Sequence, residues 1–304
     1  MYKNFCPSAM GINGRQSELI ELALTYAFSG MDIDMQDIVR RAQRTDFEDA
    51  SKYLRAAEIK IGTFPLPVGL DDDDEAFTAQ VGALHPLAEV AEKLGATRAV
   101  VHLPASTDRL PFNEFFDVQS SRLNQIGEVL GSRGIHLAVG FSPAKDLAGD
   151  KQFPFVNTVE SFAALVNGVN SGHVGFLLDT FDWVVGDGAM DQISEIPADK
   201  VVAVRLSSIA EDVDTSAATS GDRMLPTAQG LIDHVKLVGH LNTIGFDGPI
   251  GPATSTAPYK GQTREFIVQT AQEAIDGISK EAGLDVKPLP SELIEDIPYE
   301  PTPI

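Results

Sequence analysis

Short apolar runs alternate with longer amphipathic stretches along most of this chain. The short runs are typical of strands that are covered on both faces, and the longer stretches carry apolar residues at the spacing of one helix face. The pattern predicts strands over residues 2–12, 30–35, 59–64, 98–103, 134–143, 174–178, 201–206 and 245–250. It predicts helices over residues 16–28, 37–57, 76–94, 115–132, 159–169, 190–193, 229–244 and 263–282.

Strands and helices that alternate in this number are typical of a (β/α)8 TIM barrel, an α/β fold. A doubly wound open sheet is the competing architecture, but no Gly-x-Gly-x-x-Gly follows the first strand to support a dinucleotide site. We therefore predict one TIM barrel over residues 1–283. Residues 284–304 carry five prolines and are predicted to form an extended tail packed on or near the barrel.

Polar side chains stand where several predicted strands end. Asp179 and Asp182 follow the apolar run 174–178, where an unpaired charge would be costly. His102 ends the fourth strand, and Arg205 lies near the end of the seventh. Because ligand sites of parallel α/β folds form at the carboxyl ends of the strands, these four residues are candidates for catalysis.

The second predicted strand places Asp32 and Asp34 on one face, since both alternate with apolar residues. That face could point into the barrel mouth, which makes Asp34 a candidate for substrate binding. The favoured interpretation of Asp32 is a bond to a polar group of a neighbouring strand. His102 could be a base or a hydrogen-bonded scaffold residue, and the pattern does not decide between them.

Composition narrows the classes of function. The formal net charge of −21 argues against binding of nucleic acid, which needs clustered Lys and Arg. Cys6 is the only cysteine, so an intrachain disulfide and a thiolate metal cluster are excluded. The N-terminal residues lack a long apolar segment, and no stretch approaches the length of a membrane span. We therefore expect a cytoplasmic protein with no membrane partner.

Six short motifs occur in an order that is characteristic of one family. They are Gly30-Met-Asp-Ile-Asp, Leu110-Pro-Phe-Asn-Glu-Phe-Phe, Gly134-Ile-His-Leu-Ala-Val, Val174-Gly-Phe-Leu-Leu-Asp-Thr-Phe-Asp-Trp, Arg223-Met-Leu-Pro and Gly245-Phe-Asp-Gly-Pro-Ile. Through them the chain resembles the xylose isomerase-like TIM barrels, the sugar phosphate isomerase/epimerase family. The resemblance covers nearly the whole chain up to the tail.

This resemblance implies a divalent cation held by Glu, Asp, His and Glu at the ends of strands five to eight, with the two glutamates moving a proton. The corresponding positions in this chain are Gly140, Asp179, Arg205 and Ala253. Only Asp179 matches the family pattern. Asp182 stands where the family has a histidine that faces the substrate.

Arg205 would bring a permanent positive charge to the place of the cation. We therefore predict that Arg205 replaces the cation with a salt bridge to Asp179 or Asp182, and that no metal or other cofactor is bound. Arg205 could instead hold a carboxylate or phosphate of a ligand. Trp183 could stack on a sugar ring or simply pack in the core, and Arg223 is a further candidate for substrate binding.

Two hypotheses of function follow. The first is a diverged barrel that has lost the metal and proton-transfer site and binds a sugar, polyol or small anion without the usual chemistry. The alternative is an active sugar isomerase, epimerase or dehydratase with a rearranged site, in which His102, Asp182 or Asp34 is the base and Arg205 the electrophile. A divalent metal (Mn, Mg, Zn or Co) is expected only under this alternative. A homo-oligomer is compatible with either hypothesis.

Overall fold

The computed structural model of the protein describes residues 1–290, in which nine strand segments form a parallel sheet around a barrel. A separate two-stranded antiparallel sheet pairs Ser106–Thr107 with Phe153–Pro154. The strands of the barrel sheet are β1 Tyr2–Phe5, β2 Gly30–Met31, β3 in two pieces (Lys60–Ile61 and Phe64–Pro65), β4 Arg98–His102, β5 His136–Gly140, β6 Val174–Asp179, β7 Val201–Leu206 and β8 Pro249–Pro252. The helices are α1 Gln16–Thr25, α2 Met35–Arg44, α3 Phe47–Ala57, α4 Asp74–Lys93, α5 Phe112–Gly131, α6 Val159–Gly168, α7 Thr180–Val185, α8 Met190–Ser194, α9 His234–Thr243 and α10 Arg264–Glu281.

Closure of the sheet takes place at β3. The hydrogen-bonded order runs from the first piece of β3 through β2, β1, β8, β7, β6, β5 and β4 to the second piece of β3. Lys60–Ile61 pairs with β2 and Phe64–Pro65 pairs with β4, so one short stretch of chain joins both edges of the sheet. All of these pairings are parallel. The predicted (β/α)8 TIM barrel is confirmed.

Small and branched apolar side chains fill the inside of the barrel. β6 is buried along its entire length, as the continuous apolar run predicts. A separate buried cluster joins neighbouring strands from β4 to β7 and consists of Val100, Ala138, Leu177, Val202 and Ala203. Such a layer of side chains closes the barrel interior, which leaves the mouth at the strands' carboxyl ends for polar groups.

Several predicted boundaries differ from the structure. The predicted helix 37–57 is two helices, because Asp46 accepts a hydrogen bond from the Asp49 amide and starts a new helix. The second strand ends at Met31 instead of Met35, since Asp34 caps α2. The eighth strand lies at Pro249–Pro252, because Gly245 with φ +78° follows the end of α9.

The described part of the predicted tail is short. Leu284 packs against the core, and the residues up to Lys287 line a small cavity of about 190 Å³ beside Lys3 at the start of β1. Pro298, Pro301 and Pro303 lie outside the described residues. Over residues 1–290, no helix is both long enough and apolar enough to cross a membrane.

Candidate ligand site at the barrel mouth

Asp179 ends β6 and at the same time caps the short helix α7. Its Oδ1 accepts hydrogen bonds from the amides of Phe181 and Asp182, at 3.1 and 3.4 Å. The Ser207 hydroxyl, just beyond β7, donates to the same oxygen over 3.1 Å. Asp179 is only 6% exposed, so these donors take the place of water around its buried charge.

Arg223 binds two carboxylates, through the second oxygen of Asp179 and one oxygen of Asp182. Its Nη1 lies 2.5 Å from Asp179 Oδ2, and its Nη2 lies 2.9 Å from Asp182 Oδ1. The guanidinium carbon lies 4.5 Å from the centre of the Phe181 ring, within the range of a cation–π contact. One arginine therefore bridges two buried carboxylates and covers an aromatic face.

The backbone that carries Arg223 is fixed on both sides. Ser208 and Met224 exchange two backbone hydrogen bonds of 2.8 and 2.9 Å, which returns the loop to the end of β7. The Ser255 amide, beyond β8, donates to the Arg223 carbonyl over 2.9 Å. These hydrogen bonds fix the loop to the segments that follow β7 and β8, and the Arg223 side chain extends from there to the end of β6.

The predicted salt bridge of Arg205 to Asp179 or Asp182 is wrong. Arg205 and Asp179 are partners in the β6–β7 register, but Arg223 already occupies both carboxylates. The nearest carboxylate to Arg205 is that of Asp32, with 3.9 Å between Nη2 and Oδ2. The physical reason is that Asp179 turns toward the α7 amides and Ser207, whereas Arg205 extends across the mouth toward β2.

The carboxylates of this cluster have different affinities for protons. Burial, followed by the Asp179 charge, raises the pKa of Asp182 to about 7 despite the nearby Arg223. Burial alone would raise the pKa of Asp179, but the charge and the hydrogen bond of Arg223 hold it below its usual range. Protonation of the cluster is therefore expected first at Asp182.

A cavity of about 770 Å³ opens on the opposite side of the mouth. The loop after β1 and the ends of β2, β3 and β4 form its wall, and Arg205 reaches it from β7. Its charged and titratable lining includes His102, Asp32, Asp34 and Arg205. This volume is in the range of small-molecule sites.

The two aspartates of the cavity are held by different means. Asp32 Oδ1 accepts from Asn4 Nδ2 and from the Thr63 amide, both at 2.8 Å, so the expected bond to a neighbouring strand is present. Asp34 accepts from the Asp37 amide at 3.0 Å as the N-cap of α2, and its side chain is 61% exposed. Asp34 thus combines a place in the cavity wall with a structural role.

His102 faces the cavity and crowds the position of Gly140. A Cβ atom on Gly140 would lie 2.8 Å from His102 Cδ2 and 2.9 Å from Nε2, closer than side chains normally approach. The His102 side chain is exposed to the open cavity. The protein packed around the ring nevertheless removes much of its water, and this desolvation, followed by the Arg205 charge, lowers the pKa of His102 to about 4. The imidazole is therefore neutral at pH 7.

The residues in this region do not fit the divalent cation that the family resemblance implies. Gly140 has no side chain, Ala253 is a buried methyl group, and Arg205 is a cation itself. Both oxygens of Asp179 are already hydrogen-bonded. Within residues 1–290, no three His, Cys, Asp or Glu side chains come together in a way that could hold a metal ion.

Three predicted contact residues lie away from the cavity lining. Trp183 is 2% exposed, and its indole N–H donates to the Ala189 carbonyl over 3.1 Å, as expected of a packed side chain. Asp182 and Arg223 form a buried ion pair and are not among the residues that line the cavity. The sequence reasoning did not find the contribution of the β1–α1 loop, whose polar residues show no motif.

An eight-stranded parallel barrel with a polar cavity at its mouth places the protein among the TIM barrels with a ligand site at the strands' carboxyl ends. Residues 20–278 match the family of xylose isomerase-like TIM barrels, and the chain belongs to that family.

Two curated relatives match most of the chain. An inosose isomerase of Bacillus velezensis is 22% identical over 269 residues, which cover 88% of this chain and 92% of the relative. An inosose isomerase of Bacillus subtilis is 25% identical over 210 residues, or 68% of this chain and 72% of the relative.

Solved structures agree on the fold. A xylose isomerase domain protein from Alicyclobacillus acidocaldarius superposes with a TM-score of 0.81 at 20% identity, over 93% of this chain and 99% of the other. The IolI protein, solved with a zinc atom, gives a TM-score of 0.76 at 21% identity, over 92% and 99%. At these identities the likeness establishes the barrel.

Proposed function

We propose that this protein is a diverged member of the sugar isomerase barrels that binds a sugar, polyol or small anion without metal-assisted proton transfer. The observation that carries the proposal is the double ion pair of Arg223 with Asp179 and Asp182. A cation at Asp179 would have to displace a guanidinium that makes two charge-assisted hydrogen bonds. The arginine thus occupies the one carboxylate that matches the family's ligand set.

The positions at which the resemblance implies proton-transfer groups support the same proposal. Gly140 and Ala253 offer no group that exchanges a proton. The His102 ring also stands where a larger side chain on residue 140 would begin. A substrate in the cavity would therefore meet no pair of glutamates on its two faces.

Metal titration tests this proposal. The purified protein is dialysed against chelator and titrated with Mn²⁺ and Zn²⁺ by calorimetry, with metal content measured after gel filtration. We expect no tightly held ion. Tight binding of one ion that disappears in Asp179→Asn but persists in the control Asp34→Asn would overturn the proposal.

A second candidate function rests on the neighbouring pair in the cavity. His102 is neutral and Arg205 is cationic, and both line the same wall, so a base and an electrophile are available without a metal. This arrangement would suit an isomerase, epimerase or dehydratase with a rearranged site. Asp34, on the same wall, is a further candidate for the base.

A turnover assay separates the two candidates. A panel of ketoses, polyols and sugar phosphates is incubated with the protein in the presence of chelator, and products are followed by NMR. Turnover that is lost in His102→Ala and retained in Asp182→Asn would establish the second candidate. Turnover that needs added Mn, Mg, Zn or Co and Asp179 would instead identify a metal enzyme.

A further inference from the structure

The Arg205 guanidinium has unused hydrogen-bonding capacity. Its side chain is 18% exposed, and Asp32 at 3.9 Å is its nearest carboxylate within the described chain. This distance exceeds the 2.7–2.9 Å of a charge-assisted hydrogen bond. Arg223, by contrast, is bonded to two carboxylates. A largely buried guanidinium that faces a cavity without close partners is well suited to bind a ligand acceptor.

Asp32 offers a complementary acceptor beside it. Its Oδ1 is saturated by the Asn4 side chain and the Thr63 amide. Its Oδ2 is the atom that points toward Arg205. The wall therefore presents a planar set of N–H donors about 4 Å from a carboxylate oxygen that can accept a ligand hydroxyl.

This juxtaposition selects for a particular ligand chemistry. The guanidinium pairs best with a carboxylate or phosphate, which it can hold through two parallel N–H···O bonds. Asp32 would repel an anion placed directly against it, but it accepts a hydrogen bond from a hydroxyl. A molecule that carries a hydroxyl group next to its anionic group satisfies both residues at once.

We propose that the cavity binds a polyhydroxylated anion, with its carboxylate or phosphate on Arg205 and an adjacent hydroxyl on Asp32. This inference rests on the proposed function, because it concerns the same cavity. The fixed positive charge of Arg205 stands where the resemblance implies a metal cation. The site should therefore prefer a ligand that carries a negative charge. His102 adds a neutral ring to the same wall.

Matched pairs of probes test the preference. Gluconate and sorbitol differ at one carbon, a carboxylate against a hydroxymethyl group, and their binding is measured by calorimetry at fixed ionic strength. We expect gluconate to bind about 10- to 100-fold more tightly, as for a hydrogen bond to a charged group. Glycerol 3-phosphate against glycerol forms the second pair, which keeps a hydroxyl on the carbon next to the phosphate-bearing carbon and distinguishes a phosphate from a carboxylate ligand.

Two variants locate the effect. Arg205→Gln removes the charge but keeps donors, and it should abolish the difference between gluconate and sorbitol. Arg205→Lys should retain part of the preference through its charge. Arg15→Gln is the matched control, because Arg15 also lines the cavity but its side chain is 88% exposed at the rim. Circular dichroism confirms that each variant is folded.

The outcomes separate this inference from the proposed function. Equal affinity for gluconate and sorbitol, with no gain for glycerol 3-phosphate over glycerol, overturns the inference. A preference that survives in Arg205→Gln does the same, as does the absence of binding by all four probes. None of these results depends on the metal titration, where a tightly held ion at Asp179 overturns the proposed function alone.

Discussion

Two arginines lie at opposite sides of the same barrel mouth and differ in how closely they are bonded to carboxylates. Arg223 lies between Asp179 and Asp182, over the Phe181 ring, with both carboxylates within hydrogen-bonding distance. Arg205 reaches the cavity and has its nearest carboxylate at 3.9 Å. One arginine is bonded to carboxylates of the protein, whereas the other keeps N–H donors that we propose a ligand uses. Residue type alone therefore does not assign either role.

Removal of Arg223 is expected to have the largest effect. Arg223→Met leaves two buried carboxylates without their counterion, which should lower the free energy of unfolding by about 3–5 kcal/mol. Urea denaturation at pH 8 measures the change. The control Arg15→Met should stay within about 0.5 kcal/mol of the parent protein. A loss below about 1 kcal/mol for Arg223→Met would contradict the structural role of this ion pair.

Gly140→Glu is expected to have the next largest effect. The new Cβ would lie within 2.9 Å of the His102 ring, so the strands or the ring must shift, at a cost of about 1–3 kcal/mol. His102→Gly in the same chain should recover part of that loss, because it removes the ring from the space that the new side chain needs. The coupling is measured as a double-mutant cycle in urea. Additive losses would show that the two positions do not compete.

The pH dependence should differ in sign between the two sides of the mouth. The pKa of Asp182 is raised to about 7 in the folded protein, above about 3.9 in the unfolded chain. Its contribution to stability is therefore complete below about pH 4 and is lost as the pH rises through about 7. The pKa of His102 is lowered to about 4, so its contribution is lost as the pH falls from about 6.5 toward 4.

These opposite slopes are measured by urea denaturation from pH 4 to 8. Asp182→Asn should make the protein lose more stability on acidification than the parent does, because the slope of His102 is left uncompensated. His102→Asn should shift the dependence in the other direction. Parallel pH profiles of both variants and the parent would contradict the assigned protonation states.

Asp34 should give the smallest effect. Asp34→Ala removes the acceptor for the Asp37 amide at the start of α2 and should cost about 1 kcal/mol, whereas Asp34→Asn keeps a capping oxygen and should cost little. Thermal or urea unfolding measures both. A large loss in Asp34→Asn would show that the charge, rather than the cap, matters at this position.

The fold was largely predictable because it depends on repeated local patterns. The apolar run 174–178 predicts a buried strand without knowledge of its neighbours, and β6 is buried throughout. Boundaries were less predictable where a side chain decides them, as Asp34 and Asp46 do by capping helices. A period of apolar residues carries no information about such single hydrogen bonds.

The site was only partly predictable. The family resemblance placed Arg205 near Asp179, and the two residues are partners in the strand register of the structure. Register does not tell where a long side chain extends, or which residue of the following loop returns to the same strand. The contact of Arg223 depends on the bridge between Ser208 and Met224, which no sequence spacing reveals.

The division of β3 into two pieces leaves a backbone amide between them whose hydrogen bond is sensitive to the cavity. Between the pieces, the Thr63 amide donates to Asp32 Oδ1. Asp32 thus closes a gap in the backbone hydrogen bonding at the point where the two edges of the sheet meet, and its other oxygen faces the cavity. Occupancy of the cavity should therefore be readable in the chemical shift and hydrogen exchange of a single backbone amide.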